Sequence, residues 1–340
     1  MLGVGDFKKQ IVGLKNFFLA VFLFVLILRT FFLTTFCMPS SQMETSIIAG
    51  ECVLVNKIAY GIRMPICPLS IPFVPDSLPL LGIHSYISLW TLPYARLLTK
   101  VVDRNDIVVY NIPSPDWYKP LDKTPVAISR CVALPGDSVE MRNGVFFING
   151  QEQLLSPQSL TAYSYNASKD SLLHSFLRQL KIPLRSIPMG GETSELVIYL
   201  SKFEVYILGE EFPQMISYLK DFNTNHTYKF LLPAKNLQID LDEKNWSLYK
   251  EIIAHNERGR AEYKDGNFYI AGQSVKEYVF DCDYYWMLSD NVDVSTDSRH
   301  YGFISHKQVI GKVENICYSK IPGTSLVDGY RWERFFADPN

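Results

Sequence analysis

The chain opens with a long apolar run that contains a single charge. Residues Asn16 to Phe36 read NFFLAVFLFVLILRTFFLTTF, and Arg29 is the only charged position in this run. A helix needs about 20 apolar residues to cross a bilayer, and the long side chains of Lys15 and Arg29 can reach the interfaces. The pattern therefore predicts one transmembrane helix, with residues 1–36 forming a cytoplasmic tail and membrane anchor.

The flanks of this run help to separate an uncleaved anchor from a cleaved signal peptide. A basic segment, which both kinds of sequence share, precedes the run and contains Lys8, Lys9 and Lys15. The residues that follow are bulky, RTFFLTTFCMP, and offer no small-x-small cleavage site. We therefore expect an uncleaved single-pass anchor with its N-terminus in the cytoplasm and the rest of the chain on the outer face.

Beyond the anchor the pattern changes to short β-branched and aromatic runs bounded by Gly, Pro, Asn and Asp. Examples are ECVLVNKIAYG, NDIVVYNIP, PVAISRCVALPGDSVEM and KQVIGKVENICYS. RNGVFFINGQ (142–151) and KDGNFYIAGQ (264–273) each place Asn-Gly or Asp-Gly before an aromatic strand, which is typical of tight hairpins. The sequence predicts a mainly β fold whose core is formed by two chain segments, 37–151 and 263–324.

The region between the two hairpins has helical periodicity. DSLLHSFLRQL places apolar residues on one helical face behind a cap at Asp170, and GEEFPQMISYLKDF repeats this pattern. The intervening ELVIYLSKFEVYIL (195–208) is predicted as a strand. We therefore expect a small α/β insertion at 152–262 and, after the β domain, an aromatic C-terminal tail at 325–340.

Charge and cysteine content exclude some function classes. The 33 Lys and Arg residues nearly balance the 35 Asp and Glu residues, without a block of like charges that would indicate a nucleic-acid groove. The cysteines form no C-x-x-C pair, which favours buried thiols over a zinc site or a disulfide framework, although an outer location would permit one bridge. They are Cys37, Cys52, Cys67, Cys131, Cys282 and Cys317. We expect no metal, no cofactor and no nucleic-acid partner.

Several motifs follow one another in a recognisable order. After the anchor come PSSQMETSIIAGECVLVNKIAYG, RNDIVVYNIP, SRCVALPGDSVE and SDNVDVSTDSRHYGF. This order resembles the bacterial type I signal peptidases, membrane-bound serine peptidases that remove signal peptides from exported proteins. The resemblance covers nearly the whole chain, including Tyr-Gly-x-x-Met-Pro at 60–65 and a large insertion. It implies a signal-peptidase-like β-barrel or sheet core on the periplasmic side of a bacterial inner membrane.

The resemblance also implies a Ser-Lys dyad, in which a serine hydroxyl attacks the peptide carbonyl and a buried, neutral lysine accepts its proton. The two matching positions hold Gln42, just before Met43, and Ser129, just before Arg130. An amide nitrogen is not a nucleophile at neutral pH, and a serine hydroxyl is not a useful base. We therefore expect no catalytic residue at either position and a catalytically degenerate member of the family.

Positions around the dyad match the family better. Ser40 matches the serine whose hydroxyl joins the oxyanion hole, and Ser295 matches the serine that orients the lysine. Asp297 and Arg299 match a pair that braces the same loop, whereas Val292 stands where the family has an arginine. Without a dyad, we expect Ser40 and Ser295 to remain as turn or capping hydroxyls.

A relocated mechanism has few candidates in the sequence. Ser41 is the alternative nucleophile, but a shift of one residue along an extended chain turns a side chain to the opposite face. Lys123, the nearest lysine before Ser129, is about 20 Å away along a strand. His300 and His306 remain as candidate bases, although a lone histidine is more often a surface or packing residue.

The expected function is therefore a membrane-anchored, non-catalytic binder, regulator or scaffold in protein export or in a membrane complex. Its expected partners are the lipid bilayer, signal peptides or preproteins, an active signal peptidase paralogue, or a membrane protein complex. The alternative is an active signal peptidase that uses a rearranged nucleophile such as Ser41. We also expect the Gln42 side chain to enter the former active site, within hydrogen-bonding range of Ser129 or Ser295.

Overall fold

The structure is a computed structural model. It describes residues 4–70, 85–86, 91–114, 119–142, 145–153, 160–188, 195–221, 228–254, 261–264, 266–291, 296–325 and 327–339. Ser295 and Val292 lie outside the described residues.

An N-terminal helix, α1 (Val4–Ile27), continues as a π-helical segment over Leu28–Phe32. Residues Val12–Phe32 have a mean hydropathy of 2.0, and none of the stretch is buried within the described structure. Its length and composition suffice for one membrane crossing. The membrane helix was predicted to extend to Phe36. This prediction was wrong over the last four residues, Leu33–Phe36, which belong to the first strand.

The end of the helix has a local cause and a tertiary one. Thr34 and Thr35 are β-branched and favour a strand, and they pair with the next strand of the sheet. Lys57 then caps the helix end, because its backbone N–H donates to the carbonyl of Phe32 and its Nζ donates to the carbonyl of Thr30.

The main sheet is antiparallel and has the strand order β1-β2-β22-β5-β6-β20-β21. Its strands are β1 (Leu33–Cys37), β2 (Glu51–Asn56), β5 (Ile107–Asn111), β6 (Val126–Ala133), β20 (Tyr284–Leu288), β21 (Ile304–Ser305) and β22 (Val309–Ser319). Both faces are covered, because Ile107 and Val109 pack in one hydrophobic cluster while Val108 and Tyr110 pack in another. This curled sheet agrees with the predicted mainly β, signal-peptidase-like fold.

Smaller sheets extend the β region. Their strands are β3 (Ile62–Arg63) with β4 (Arg96–Leu97); β7 (Ser138–Arg142), β8 (Val145–Ile148), β9 (Gln151–Glu152) and β14 (Tyr228–Leu231); β15 (Gln238–Asp240) with β19 (Glu277–Val279); and β16 (Ala261–Lys264), β17 (Asn267–Ile270) and β18 (Gln273–Val275). The hairpins predicted at 142–151 and 264–273 are confirmed, since β7 pairs with β8 and β16 pairs with β17 across those turns.

A separate α/β unit follows β9. Its sheet contains β10 (Leu160–Asn166), β11 (Ser186–Pro188), β12 (Glu195–Ser201) and β13 (Lys220–Asp221), with helices α2 (Asp170–Gln179), α3 (Lys202–Glu211) and α4 (Pro213–Ile216). The strand predicted over 195–208 was wrong after Ser201, where α3 begins. Ser201 and Glu204 form a capping box there, which starts a helix within a run that is apolar enough for either structure.

The two halves of the segment predicted as an insertion pack in different places. Residues of α2, α3 and β12 share one hydrophobic cluster with β10. By contrast, helix α5 (Glu243–Ile252) buries Trp246 and Tyr249 in the cluster formed by β7, β8 and β20. The last regular helix, α6 (Ser298–Tyr301), lies between β20 and β21.

One pair of cysteines departs from the favoured expectation of buried thiols and forms the bridge that the sequence left open. Cys37 and Cys52 are directly opposite each other in the β1–β2 register and form a disulfide. Adjacent antiparallel strands bring such positions close together, and spacing alone does not reveal this partnership. The four other cysteines form no disulfide; Cys67, Cys131 and Cys282 are buried, and Cys317 is half-buried.

Candidate functional site

The loop after β1 carries the positions expected for an oxyanion hole and a nucleophile. Met43 is fully buried in the core and anchors the loop, whereas Ser40, Ser41 and Gln42 are half-buried. The buried Asn291 holds the loop, because its backbone N–H donates to the carbonyl of Gln42 at 3.0 Å and its Nδ2 donates to the carbonyl of Ser41 at 3.2 Å. The β1–β2 loop and the chain after β20 are thereby joined.

Gln42 does not bond to Ser129. Its Nε2 donates to the hydroxyl of Thr296 at 3.2 Å, and the described residues contain no hydrogen bond between Gln42 and Ser129. Of the two expected partners, Ser129 is therefore not the one that Gln42 bonds. The alternative contact, with Ser295, involves a residue outside the described ranges.

Ser129 has other partners, and they explain the absence of that bond. Its side chain is fully buried, with its Oγ 3.2 Å from the hydroxyl of Tyr110 and 3.1 Å from the Oγ of Ser289. Burial raises the pKa of Tyr110, so that its hydroxyl stays protonated. We call Tyr110, Ser129 and Ser289 the hydroxyl cluster. It satisfies Ser129 without help from Gln42, and it contains no group able to take up a proton at neutral pH.

A buried ion pair lies beside this cluster. Arg130 donates from Nε and Nη2 to the two carboxylate oxygens of Asp290, each at 2.9 Å. Ser46 donates to the same carboxylate and accepts from Arg130 at 2.9 Å. Such a bidentate, charge-assisted contact fixes both geometry and register. It holds β6 against the two loops that carry Gln42 and Asn291.

Asp297 and Arg299 are brought together, as their matched roles imply. Arg299 donates from Nε and Nη2 to the carboxylate of Asp297 at 2.9 Å each. The fully buried Asp297 also accepts the backbone N–H of Ser289 at 3.0 Å and caps α6. The pair therefore positions Ser289 of the hydroxyl cluster.

The candidate bases are not placed beside Ser41. His306 is buried, with its Nδ1 3.1 Å from the hydroxyl of Tyr285, and burial together with Arg96 lowers the pKa of His306 to about 4. Tyr285 lies four residues before Ser289 on the chain, which is about 13 Å along a strand. His300 is exposed on α6, and Lys123 lies over the ring of Tyr86.

Ser40 and Ser41 have no side-chain partner among the described residues. They are half-buried at the surface of the loop, beside Gln42. A hydroxyl without a neighbouring base is a poor nucleophile. Nothing in the described geometry activates Ser41.

Two unpaired strand edges flank this loop. Among the described strands, β1 pairs only with β2, and β6 pairs with β20 only from Arg130 onward. Thr34–Cys37 of β1 and Val126 of β6 line one cavity of about 470 Å³. An extended peptide can therefore form backbone hydrogen bonds with one or both edges.

The α/β unit contacts the same loops. Arg185 donates to Glu44 of the Gln42 loop at 3.3 Å and to Glu204 of α3 at 3.0 Å. The backbone N–H of Leu160 donates to the carbonyl of Asp290 at 2.8 Å. The unit is thus attached next to the loops that carry Gln42 and Asn291.

Sequence reasoning missed Tyr110, Ser289 and Thr296 as parts of this site. Ser289 and Thr296 lie within or beside the motif SDNVDVSTDSRHYGF, which was a usable signal. Tyr110 lies on β5 within the motif RNDIVVYNIP, but the motif does not reveal which residue its hydroxyl contacts. Its role depends on the β5–β6 register, which pairs Val108 with Ser129.

Comparison with known proteins gives one family. The model of the signal peptidases, peptidase S26, matches residues 11–195 and 232–318. Signal peptidase I of Buchnera aphidicola subsp. Baizongia pistaciae is 23% identical over 308 residues, which cover 90% of this chain and 76% of that protein. Signal peptidase I of Helicobacter pylori strain J99 is 22% identical over 341 residues, covering 97% of this chain and 93% of that protein.

A solved structure is also similar, although weakly. A crystal structure of a signal peptidase I from Enterococcus faecalis V583 has 16% sequence identity and a TM-score of 0.24, covering 63% of this chain and 97% of that one. The family match spans most of the chain. It is interrupted at 196–231, which is the later part of the α/β unit. The chain belongs to the signal peptidase family, peptidase S26.

Proposed function

We propose that this protein is a membrane-anchored, non-cleaving member of the signal peptidase family that binds extended peptide segments, foremost the signal peptides of preproteins. The observation that carries the proposal is that a centre without a nucleophile or a base, at Gln42 and Ser129, lies beside unpaired strand edges. Its N-terminus faces the cytoplasm and its β domain lies on the periplasmic side of a bacterial inner membrane, as the basic residues before the helix favour.

The inert centre is supported by the environments of Gln42 and Ser129. Gln42 offers an amide that is bonded to Thr296, and an amide is not a nucleophile. Ser129 is buried against two other hydroxyls and has no basic group among its partners. The Ser-Lys mechanism needs both a nucleophile and a base, so that loss of both is consistent with no cleavage.

The open edges support binding without chemistry. Strand addition gains its affinity from backbone hydrogen bonds and its specificity from side-chain pockets, neither of which needs a dyad. The backbone N–H of Ile112 donates to the carbonyl of Pro125, so these two residues form a hydrogen-bonded pair between β5 and the start of β6. Hydrogen-bonded and non-hydrogen-bonded pairs alternate along an antiparallel ladder, and the next pair, which contains Val126, is therefore non-hydrogen-bonded. The N–H of Val126 consequently faces the unpaired side of β6, where an incoming peptide would accept from it.

A photocrosslinking experiment tests this proposal. A photoreactive residue replaces Gln42 in the full chain, and preproteins with and without their signal peptides are added. We expect capture of the signal peptide and no cleavage. Val126→Pro removes one outward N–H and should weaken capture several-fold, whereas Val126→Thr keeps that N–H and should not. Absence of capture, or equal capture by both variants, would contradict peptide binding and favour a scaffold that docks through the α/β unit or the aromatic tail.

The alternative function is an active signal peptidase with Ser41 as nucleophile. It is favoured by one observation, namely that the Ser41 hydroxyl is half-exposed and has no partner among the described residues. Purified protein incubated with a preprotein distinguishes the two. Cleavage that Ser41→Ala abolishes would establish the enzyme and overturn the non-cleaving proposal.

Restoration of the dyad provides a further check. Gln42→Ser and Ser129→Lys act as a unit, so either change alone should give no turnover. The Oγ of Ser289 lies 3.1 Å from that of Ser129, in the space that a lysine would need. We therefore expect more turnover when Ser289→Gly is added to the pair than from the pair alone.

A further inference from the structure

The cavity lined by Thr34–Cys37 and Val126 reaches the end of the membrane helix, where several cationic side chains join its wall. It has a volume of about 470 Å³ and lies between the end of the membrane helix and the β domain. The helix contributes Leu26, Arg29 and Thr30 to its wall. Four cations and one carboxylate are among its described lining residues: Arg29, Lys57, Arg63, Lys123 and Asp122. We call these five residues the cationic pocket.

Arg63 is the central observation. Only 9% of the residue is exposed, and its Nη1 donates to the Oδ1 of Asn111 at 2.7 Å. Its Nη2 is buried and has no hydrogen-bond partner in the described structure. Burial and the nearby Arg96 lower the pKa of Arg63 only to about 10, so the group is charged at neutral pH. A buried, charged N–H group without an acceptor is costly, and an anion would supply that acceptor.

Asp122 provides the complementary feature. Its Oδ2 accepts the backbone N–H groups of Ile66 and Cys67 at 3.1 and 2.9 Å. Its Oδ1 is buried and has no donor in the described structure. The pocket therefore holds one unused donor and one unused acceptor. A matching ligand carries both an anionic oxygen and a hydroxyl group.

Lys57 strengthens the preference for an anion. Burial, with Arg63 and Arg29 nearby, lowers the pKa of Lys57 to about 8. Its Nζ already donates to the carbonyls of Thr30 and Arg29, which fixes it at the helix end. A negative charge in the pocket would offset the repulsion among these cations.

We propose that the cationic pocket binds the headgroup of an anionic phospholipid, with Arg63 donating to the phosphate and Asp122 accepting from a headgroup hydroxyl. Phosphatidylglycerol carries both groups. The position favours a lipid over a peptide carboxylate, because Leu26, Arg29 and Thr30 belong to the last turns of the candidate span, where headgroups lie. The acyl chains would run beside exposed helix residues such as Phe17, Phe18 and Phe24. This inference depends on membrane anchorage and not on peptide binding.

Binding to the detergent-purified full chain tests the proposal. The probes are short-chain phosphatidylglycerol, short-chain phosphatidylcholine, inorganic phosphate and a glutamate-containing peptide, each measured by calorimetric titration. We expect phosphatidylglycerol to bind at least ten-fold more tightly than the other three probes. Equal binding of phosphatidylcholine, of free phosphate or of the peptide would overturn the lipid assignment.

Variants locate the binding. Arg63→Met and Lys123→Gln should each weaken binding of phosphatidylglycerol, Arg63→Met by roughly ten-fold or more. Asp122→Asn should weaken phosphatidylglycerol but leave a phosphatidic acid probe, which lacks the headgroup hydroxyls, unaffected. Lys264→Gln removes an exposed cation outside the pocket and serves as the charge control. If Arg63→Met impairs folding, the half-buried Lys123 provides the test, and unchanged affinity in Lys123→Gln and Asp122→Asn would overturn the proposal.

Discussion

The hydroxyl cluster and the cationic pocket differ in how their buried polar atoms are satisfied. In the cluster, Ser129 has two hydroxyl neighbours, and the adjacent Arg130 and Asp290 pair through two hydrogen bonds. In the pocket, Arg63 and Asp122 each keep one buried atom without a partner in the described structure. Buried polar groups are nearly always hydrogen-bonded in folded proteins. The comparison indicates that the buried polar groups around Ser129 satisfy one another, whereas the membrane-side pocket keeps atoms that a ligand could satisfy.

The largest expected effect concerns the buried ion pair next to the hydroxyl cluster. Arg130→Met leaves Asp290 buried without its counter-charge and should destabilise the fold by about 3–5 kcal/mol. The measurement is the thermal midpoint of the full chain in detergent. Arg142→Met is the matched control, because Arg142 pairs with Glu140 at the exposed surface and its loss should cost far less. Equal losses in both variants would contradict a centre whose buried polar groups satisfy one another.

A smaller effect is expected from placing a lysine in the hydroxyl cluster. Ser129→Lys buries an amine with no counter-charge beside Tyr110 and Ser289, and should cost about 1–3 kcal/mol. Adding Ser289→Gly should recover part of that loss by making room. Val126→Lys on the partly exposed start of β6 is the control. A rise in the thermal midpoint of Ser129→Lys would mean that the site still accommodates a lysine.

The smallest effect tests the pocket through pH. The pKa of Lys57 is about 8 in the fold and about 10.5 when unfolded, so between these values the unfolded chain binds more protons. Stability should therefore rise with pH over this window, by roughly 1–2 kcal/mol after solvent screening. Lys57→Met should lose this rise, and bound phosphatidylglycerol should flatten it. A profile identical in the wild-type chain and Lys57→Met would show that Lys57 is not strained in the lipid-free pocket.

Local signals accounted for much of the fold. The hairpins at 142–151 and 264–273 were predictable because Asn-Gly and Asp-Gly favour turns whose twist matches that of paired strands. The same kind of local information failed at 202–208, where the apolar residues fit a strand or a helix equally well. It failed again at Leu33–Phe36, where apolar residues continue past the end of the helix into β1. At 202–208 the capping box of Ser201 and Glu204 selected the helix, and at Leu33–Phe36 pairing with β2 selected the strand.

The sequence by itself determined the candidate membrane span, the order of the family motifs and the absence of a serine and a lysine at positions 42 and 129. These are properties of composition and order, which need no knowledge of contacts. Only the tertiary structure decided that Cys37 bonds to Cys52, that Gln42 bonds to Thr296 rather than Ser129, and that Arg63 is left with an unpartnered atom. Each of these depends on strand register or on loop packing between distant parts of the chain. Sheet pairing joins residues far apart in the sequence, and a shift of one residue in a strand such as β1 would turn Cys37 away from Cys52.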